Sequence, residues 1–265
     1  MENKKSILIY LTVFYVLIEL LIYVSFMTGD ITGVLKITTI TLIKYISVLL
    51  CILYSTVVFI LYREKDSLIL IAAFGFTGIS DYFLLFTDSF TLGMFSFSIA
   101  QLIYLLRLWY QDYNEGKSAV IFYRLILNFI IWIGVLFILK LLGITNGNTE
   151  LSDRLLLAVA SFYFVTILHN VIRSFIHVNN CKSSKSFIFA IGMLLFILCD
   201  INVGIYNMEG FVVINQEVFD KIYNFSEIAM WMFYLPAQVC IALSGSVVIS
   251  VVNKTKKSKY DEKAK

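Results

Sequence analysis

Eight apolar stretches, each about twenty residues long, dominate this chain. A helix of that length crosses the hydrocarbon core of a bilayer, which is about 30 Å thick. Only 15% of the 265 residues are charged, whereas soluble domains carry roughly 25%. The pattern excludes a soluble domain and predicts an all-α, polytopic membrane protein. The predicted transmembrane helices are residues 6–27, 40–62, 68–86, 90–110, 121–142, 155–176, 186–205 and 227–252.

The distribution of Lys and Arg predicts that both the N and C termini are cytoplasmic. Positive residues accumulate on the cytoplasmic side of membrane proteins. Sixteen of the 21 Lys and Arg residues lie at the N-terminus, in or beside the even-numbered loops, or in the C-terminal tail, against four on the opposite side. We expect one transmembrane domain over residues 1–252 and a basic tail over 253–265, which contacts anionic headgroups and no nucleic acid.

Two segments need a separate interpretation. The first apolar stretch follows Lys4 and Lys5, as in a signal peptide, but its apolar core is too long and no small-x-small cleavage site follows it. We therefore interpret it as the first spanning helix. The long amphipathic connection over residues 206–224 is predicted to contain a short helix that lies in the membrane interface.

Six ionisable residues interrupt the apolar stretches. Each requires a reason, because a charge at the centre of a spanning helix costs about 2.5–3.5 kcal/mol. With a rise of about 1.5 Å per residue, the helix positions place three of the carboxyl groups about 20 Å from the cytoplasmic edge. The lysine lies a few ångströms higher, so four helices should bring charges to one layer in the outer half of the bilayer. The six residues are Glu19, Lys44, Asp81, His169, Asp200 and, at a boundary, Glu227.

The two aspartates are the candidate catalytic residues. Asp81 lies in FGFTGISDYFLLF and Asp200 in GMLLFILCDINVGIY, at matched depths in the third and seventh spans. Two ionised carboxylates at one level would repel each other, so the pair adds no stability, but it can share a proton and supply an acid and a base together. We expect Asp81 and Asp200 to face each other across one polar pocket that opens toward the outer leaflet.

Polar stripes on two other spans are expected to line the same pocket. Ser98, Gln101 and Tyr104 recur at threefold spacing in the fourth span, which places them on one helix face. A similar stripe in the eighth span includes Trp231, and Pro236 should loosen the backbone hydrogen bonding there. The candidate substrate-binding residues are Glu19, Lys44, Gln101, Tyr104, Glu227, Tyr234 and Gln238.

Structural roles are an alternative for several of these residues. Glu19 and Lys44 could instead form a neutralising ion pair, and Gln101 and Gln238 could hold helices together by hydrogen bonds. His169 is better explained as a packing residue than as a ligand. Tyr104, Trp231 and Tyr234 could simply line the pocket or lie at the interface.

The sequence also contains a weak internal repetition. It carries no cofactor signal. The third and seventh spans each contain an aspartate, and the fourth and eighth contain IAQLIY and PAQVCI. This is typical of a four-plus-four duplication, as in some transporters. The four cysteines form no disulfide framework, and with two histidines there is no Cys/His cluster. We therefore expect no metal and no cofactor.

These residues resemble the YhhN-like lysoplasmalogenases, an eight-span family. The matching pieces are Lys44, GISDYFLL with Asp81, LGMFSFSIAQLIY, FAIGMLLFILCD with Asp200, and FYLPAQVCIALS, in order over residues 40–250. Two positions depart from the family, which usually has proline where Tyr45 stands and histidine where Gln101 stands. If that histidine carries a proton in relatives, its absence alters or removes the activity here.

The resemblance implies an integral, multi-pass protein of the cell membrane that hydrolyses the vinyl ether bond of lysoplasmalogens. The products would be a fatty aldehyde and a glycerophospho-alcohol, and the partners a lysophospholipid substrate and the lipid bilayer. Such hydrolysis needs an acid and a carboxylate, as in glycosidases, which suits Asp81 and Asp200. Lys44 could contact the substrate phosphate.

Two other functions are compatible with the sequence. A proton- or ion-coupled transporter could use Asp81, Asp200 and Glu19 with Lys44 between repeated halves. A catalytically inactive membrane sensor or scaffold could have lost its activity with the histidine. Intramembrane aspartyl proteolysis is disfavoured, because the YD and GxGD motifs of that class are missing. Head group, chain length, oligomeric state and the choice of acid between the aspartates stay open.

Overall fold

A computed structural model describes residues 2–87, 89–114, 116, 120–142, 151–207 and 216–246. Within these ranges the regular secondary structure is entirely α-helical, as the sequence predicts. The helices are α1 (Glu2–Thr32), α2 (Ile37–Tyr62), α3 (Lys65–Phe86), α4 (Phe90–Asn114), α5 (Ile121–Leu141), α6 (Leu151–Cys181), α7 (Ser184–Tyr206) and α8 (Gln216–Ser244).

All eight described helices are long and apolar enough to cross a membrane. The shortest, α5, has 21 residues, which at about 1.5 Å per residue gives a length of roughly 30 Å. The prediction of eight transmembrane helices is thus confirmed by length and composition. The orientation of the termini stays a prediction, and the tail over residues 253–265 lies outside the described ranges.

The last span differs from its predicted position at both ends. The sequence predicts residues 227–252, whereas α8 begins at Gln216 and ends at Ser244. Its start lies earlier because residues 216–226 contain no proline or glycine to interrupt the helix. Its end follows from Gly245, since glycine is favoured just after a helix C-terminus. The sequence also predicts a separate interface helix within residues 206–224. This prediction is wrong for residues 216–224, because they form the first turns of α8. Residues 208–215 lie outside the described ranges.

Helix pairing follows the same scheme in both halves of the chain. The pairs α1–α2, α2–α3 and α3–α4 in the first half correspond to α5–α6, α6–α7 and α7–α8 in the second. Between the halves, α4 packs on α6 and α2 packs on α8. This is the pairing expected of the four-plus-four arrangement. The most extensive contacts join α3 to α4 and α7 to α8, which are the helices that carry the candidate site.

The described apolar surface is distributed as in a protein surrounded by lipid. Many large apolar side chains of α1 and α5 are exposed, such as Leu21 and Phe122. On α5 the buried residues are polar, namely Arg124 and Asn128. In a bilayer the apolar side chains can face lipid, whereas polar groups must find partners inside the protein. Helix α5 is attached to the bundle through the polar contacts of Arg124 and Asn128 and through aromatic contacts of Phe129 and Trp132 with Phe162 on α6.

Gly192 permits a close approach between α7 and α8. A Cβ atom at this position would lie 2.8 Å from a side-chain carbon of Ile241 and 3.1 Å from the carbonyl oxygen of Ala237. We expect Gly192→Ala to lower the free energy of unfolding by about 1–3 kcal/mol through overpacking. Chemical unfolding in detergent micelles would measure this. The matched control is Gly134→Ala, because nothing lies within 4 Å of the corresponding Cβ; equal stability of the two variants would contradict the prediction.

Candidate functional site

Asp81 on α3 lies in the protein interior. Its side chain belongs to the buried stripe that also includes Thr77 and Gly78, and only 3% of the residue is exposed. The hydroxyl of Tyr234 on α8 donates a hydrogen bond to Oδ2 of Asp81 over 2.7 Å. A carboxyl group taken out of water needs such a partner, so this bond fixes Asp81 against α8.

Asp200 on α7 has an equivalent partner on a different helix. The hydroxyl of Tyr163 on α6 donates a hydrogen bond to Oδ2 of Asp200 over 2.7 Å. Tyr163 is buried, whereas Asp200 is half-buried. Each candidate catalytic carboxyl group is therefore held by one tyrosine from a neighbouring helix, and Asp200 is the more accessible of the two.

The two tyrosines meet at one group of aromatic rings, which we call the aromatic cluster: Phe97, Tyr163, Phe196 and Tyr234. The ring of Phe97 on α4 lies 5.7 Å from that of Tyr163 and 6.3 Å from that of Tyr234. Phe196 on α7 lies 5.5 Å from Tyr234. The aromatic cluster thus connects the partner of Asp81 with the partner of Asp200.

Both carboxyl groups lie within electrostatic range of the same buried side chains. Tyr163, which bonds to Asp200, also interacts electrostatically with Asp81. The buried thiol of Cys199 interacts with both carboxyl groups. Among the described side chains, the hydrogen-bond donors to the two carboxyl groups are Tyr163 and Tyr234, and proton sharing between the carboxyl groups stays a prediction. Asp81 and Asp200 thus share neighbouring side chains, while their opposition across one pocket stays a prediction.

Lys44 lies in the N-terminal half of α2, among acidic and aromatic side chains. Its ammonium group lies 2.7 Å from Oδ2 of Asp30 and 4.4 Å from the ring centroid of Trp231. Phe26 contributes a second ring at 5.6 Å. Glu227 is exposed and interacts with Lys44 electrostatically. A phosphate group that contacts Lys44 must therefore compete with Asp30.

Glu19 does not pair with Lys44, so the neutralising pair considered from the sequence is wrong. Glu19 is 2% exposed and accepts a hydrogen bond from the hydroxyl of Ser47 over 2.7 Å. The thiol of Cys51 lies 3.9 Å from its other oxygen. Ser47, the partner of Glu19, lies one helical turn away from Lys44 on α2. The acidic residue that pairs with Lys44 is Asp30, near the end of α1. The helix rotation, which hydropathy does not encode, decides this pairing.

Gln101 connects α4 to α6. Its backbone oxygen and its Oε1 accept hydrogen bonds from Nδ2 of Asn170 over 2.8 and 2.9 Å. Its Nε2 is buried and has no hydrogen-bond partner among the described residues. Gln101 therefore holds α4 and α6 together by hydrogen bonds, which is the structural role considered from the sequence. Its Nε2 atom keeps a free N–H donor.

Helices α4 and α8 run parallel in a constant register. The rings of Phe97 and Tyr234 are in contact, and Nη1 of Arg107 donates to Oγ of Ser244 over 2.8 Å. Both contacts join residues that are 137 positions apart. Residues with that same separation lie at one level of the bundle.

Gln101 and Gln238 share this separation and lie between those two contacts. Both amide atoms of Gln238 are buried without a hydrogen-bond partner among the described side chains, whereas the hydroxyl of Tyr104 lies against the side chain of Thr77. Tyr104 also interacts electrostatically with Asp81. Unsatisfied buried polar groups are rare in native proteins and mark places where a ligand or water is bound. This layer of free donors and acceptors borders the site of Asp81.

Sequence reasoning missed Tyr163 and Asp30. Tyr163 could have been found from its helix, because Tyr163, Thr166 and Asn170 follow the spacing i, i+3, i+7 and all three are buried. Asp30 lies beyond the predicted first span and has no comparable signal. His169 is buried and lies 3.4 Å from Asn128, so it packs inside the protein. In the described ranges, no group of three or more His, Cys, Asp or Glu side chains is arranged to hold a metal ion.

Eight apolar helices around two buried or half-buried carboxyl groups define the class: a polytopic helical membrane protein with a polar interior. The model of the YhhN family matches residues 39–245, which include Asp81, Asp200 and their tyrosine partners. The chain belongs to the YhhN family. No curated protein and no solved structure matches it.

Proposed function

We propose that this protein is an intramembrane hydrolase that cleaves the vinyl ether bond of lysoplasmalogen-type lysophospholipids. The observation that carries the proposal is the placement of Asp81 and Asp200 at the two sides of one aromatic cluster, each bonded to a tyrosine. Membership of the YhhN family and the membrane-spanning fold support it. The substrate enters laterally from the lipid, as the single chain of a lysolipid allows.

The reaction needs one acid and one base in a site that is shielded from bulk water. A carboxylic acid transfers its proton to the β-carbon of the vinyl ether, which leaves an oxocarbenium ion at the α-carbon. A carboxylate removes a proton from water as that water attacks the α-carbon, giving a hemiacetal. The bond between the α-carbon and the glycerol oxygen then breaks: the hemiacetal hydroxyl loses its proton, the glycerol oxygen takes one up, and the aldehyde and the glycerophospho-alcohol are released. Two carboxyl groups perform the comparable steps in glycosidases.

Accessibility distinguishes the roles of the two carboxyl groups in this proposal. Asp200 is half-buried and Asp81 is buried, so Asp200 can reach an attacking water more readily. We therefore assign water activation to Asp200 and proton delivery to Asp81. Phe97 and Phe196 pack against the tyrosine partners of the carboxyl groups, and their electron-rich rings can stabilise the cationic intermediate.

The remaining candidate residues fit the polar part of the substrate. Gln101 and Gln238 offer free hydrogen-bonding groups, and Tyr104, which lies against Thr77, interacts electrostatically with Asp81; these three side chains suit the glycerol hydroxyl groups or the attacking water. Lys44, held by Asp30, is the proposed contact of the phosphate, with Glu227 near it. Glu19 supports α2 through Ser47, and we assign it no contact with the reacting atoms.

The experiment is an assay of the purified full chain with a vinyl-ether lysolipid and with its saturated alkyl-ether analogue. We expect aldehyde release from the vinyl ether and no cleavage of the analogue, because only the vinyl ether has a β-carbon that accepts a proton. In D₂O the aldehyde should carry one deuterium beside the carbonyl group. Authentic aldehyde incubated in the same D₂O corrects for exchange. Absence of aldehyde, or aldehyde without the deuterium, would contradict the proposal.

The tyrosine partners provide a second prediction. Tyr234→Phe and Tyr163→Phe each remove a donor to a carboxyl group, and hydrogen bonds to charged groups contribute about 1.5–3 kcal/mol. We expect each variant to lower the rate of aldehyde release roughly 10-fold or more. Tyr10→Phe is the control, since Tyr10 is 76% exposed. Rates close to that of the unmodified protein in both variants would show that the tyrosines do not act on the carboxyl groups.

The repeated helix pairing favours one alternative function, a proton- or ion-coupled carrier. Carriers are often built from repeats with their binding site at the repeat interface, and α4–α6 and α2–α8 join the two halves here. Uptake into sealed vesicles without bond cleavage would identify a carrier. If the protein shows neither uptake nor aldehyde release, the result fits an inactive sensor or scaffold, the alternative considered because Gln101 stands where the family usually has histidine.

A further inference from the structure

A second buried charged group lies at the other end of the bundle. We call it the Asp112 cluster: Asp112 on α4, Arg124 on α5, and Arg173 and His177 on α6. Arg124 Nη2 bonds directly to Oδ2 of Asp112, and Arg173 Nη2 reaches the same oxygen over 3.0 Å. Nδ1 of His177 lies 2.6 Å from the other oxygen. Asp112 is thus surrounded by three basic side chains.

The Asp112 cluster contains more positive than negative charge. Arginine stays protonated in proteins, so Arg124 and Arg173 carry two positive charges against one on Asp112. His169 lies near both guanidinium groups as well and interacts with them electrostatically. Burying an uncompensated charge is costly. Among the described residues, Asp112 offsets only one of the two guanidinium charges, so the cluster can accept a further anion.

Two guanidinium nitrogens are free to bind that anion. Nη1 of Arg124 and Nε of Arg173 are buried and make no hydrogen bond to any described residue. Arg124 is 6% exposed, which places its free donor inside the protein. The side chain of Arg173 is 28% exposed, so the cluster can be reached from the surface. Paired guanidinium donors match the oxygen atoms of a phosphate group.

The position of the Asp112 cluster favours a lipid headgroup as the source of the anion. The residues lie in the last turns of α4 and α6 and the first turn of α5, at the end of the bundle where the charge distribution predicts the cytoplasmic leaflet. The N-cap residue of α5, Val120, has no side chain that caps the helix, and helix N-termini attract anions. A lipid headgroup lies at this level of a membrane.

We propose that the Asp112 cluster binds the phosphate group of an anionic lipid of the cytoplasmic leaflet. The phosphate bridges Arg124 and Arg173 and so attaches α5 to α6. This matters because α6 is the main packing partner of α5. The site is separate from Asp81 and Asp200, and the proposal does not depend on the hydrolase activity.

The test uses the purified full chain in neutral detergent micelles at fixed ionic strength. Short-chain phosphatidylglycerol, phosphatidylcholine with the same acyl chains, and inorganic phosphate are titrated separately, and the thermal unfolding midpoint is followed by tryptophan fluorescence. We expect saturable stabilisation by phosphatidylglycerol that phosphatidylcholine does not reproduce. Arg173→Gln should weaken its apparent affinity at least tenfold. Arg63→Gln, which changes an exposed arginine at the same end of the bundle, should leave it unchanged.

The outcomes separate the possible sources of the anion. Loss of the phosphatidylglycerol response in Arg173→Gln, with partial recovery in Arg173→Lys, supports the lipid site. An equal, Arg173-dependent response to inorganic phosphate alone would replace the lipid by a soluble phosphate and overturn the lipid assignment. An unchanged response in Arg173→Gln would overturn the site itself. Because the unfolding midpoint is the readout, failure of the proposed hydrolase activity does not affect this test.

Discussion

Asp81→Asn and Asp200→Asn should each reduce aldehyde release from a vinyl-ether lysolipid at least about 100-fold, the usual range for loss of a general acid or base. Both carboxyl groups act in the proposed reaction, and an amide can neither deliver the proton nor remove one from water. The two groups lie beside one aromatic cluster and are bonded to different tyrosines. The loss should therefore occur in each single variant, and the double variant should lose little more.

The fold should survive these substitutions. The side-chain oxygen of asparagine still accepts the tyrosine hydroxyl, and removal of a buried charge costs nothing in apolar surroundings. Thermal unfolding of each variant would verify this. Asp153→Asn is the matched control, because Asp153 is exposed in the first turn of α6. Activity that persists in both Asp81→Asn and Asp200→Asn would end the acid–base mechanism.

Asp66→Ala should lower the free energy of unfolding by about 3–5 kcal/mol, the usual cost of removing one partner from a buried ion pair. Arg107 is fully buried, and it donates to both oxygens of Asp66 over 2.9 and 2.7 Å. It also contacts the hydroxyl of Ser244 and the ring of Phe189. Without Asp66 the guanidinium charge is left buried among α3, α4, α7 and α8.

Glu64→Ala tests whether burial causes this effect. Glu64 is a neighbouring carboxylate that pairs with Lys185 over 3.6 Å, and its side chain is 41% exposed. Exposed pairs contribute about 0–1 kcal/mol, so this variant should unfold close to the unmodified protein. Chemical unfolding in mixed micelles measures both. If the two variants lose the same stability, the pair of Asp66 and Arg107 does not fix the helices as described.

The candidate site could be predicted from the sequence in part. Asp81 and Asp200 stand out because a carboxyl group inside an apolar stretch is costly wherever the helix packs. Tyr234 could be assigned to the pocket from its stripe and Tyr163 from its helix face, but the bond of each to a particular carboxyl group could not be predicted before the helices are placed. Lys44 shows the same limit: its partner is Asp30 rather than Glu19, because the rotation of α1 against α2 turns Glu19 toward Ser47.

The sequence by itself determined the membrane-spanning helices. Hydropathy acts on each segment separately, and a stretch of about twenty apolar residues forms a helix in lipid whatever its neighbours are. The tertiary structure alone decided which polar groups meet, in the aromatic cluster and in the Asp112 cluster. Those contacts depend on the rotation and register of packed helices, which result from side-chain packing over the whole bundle and not from any single segment.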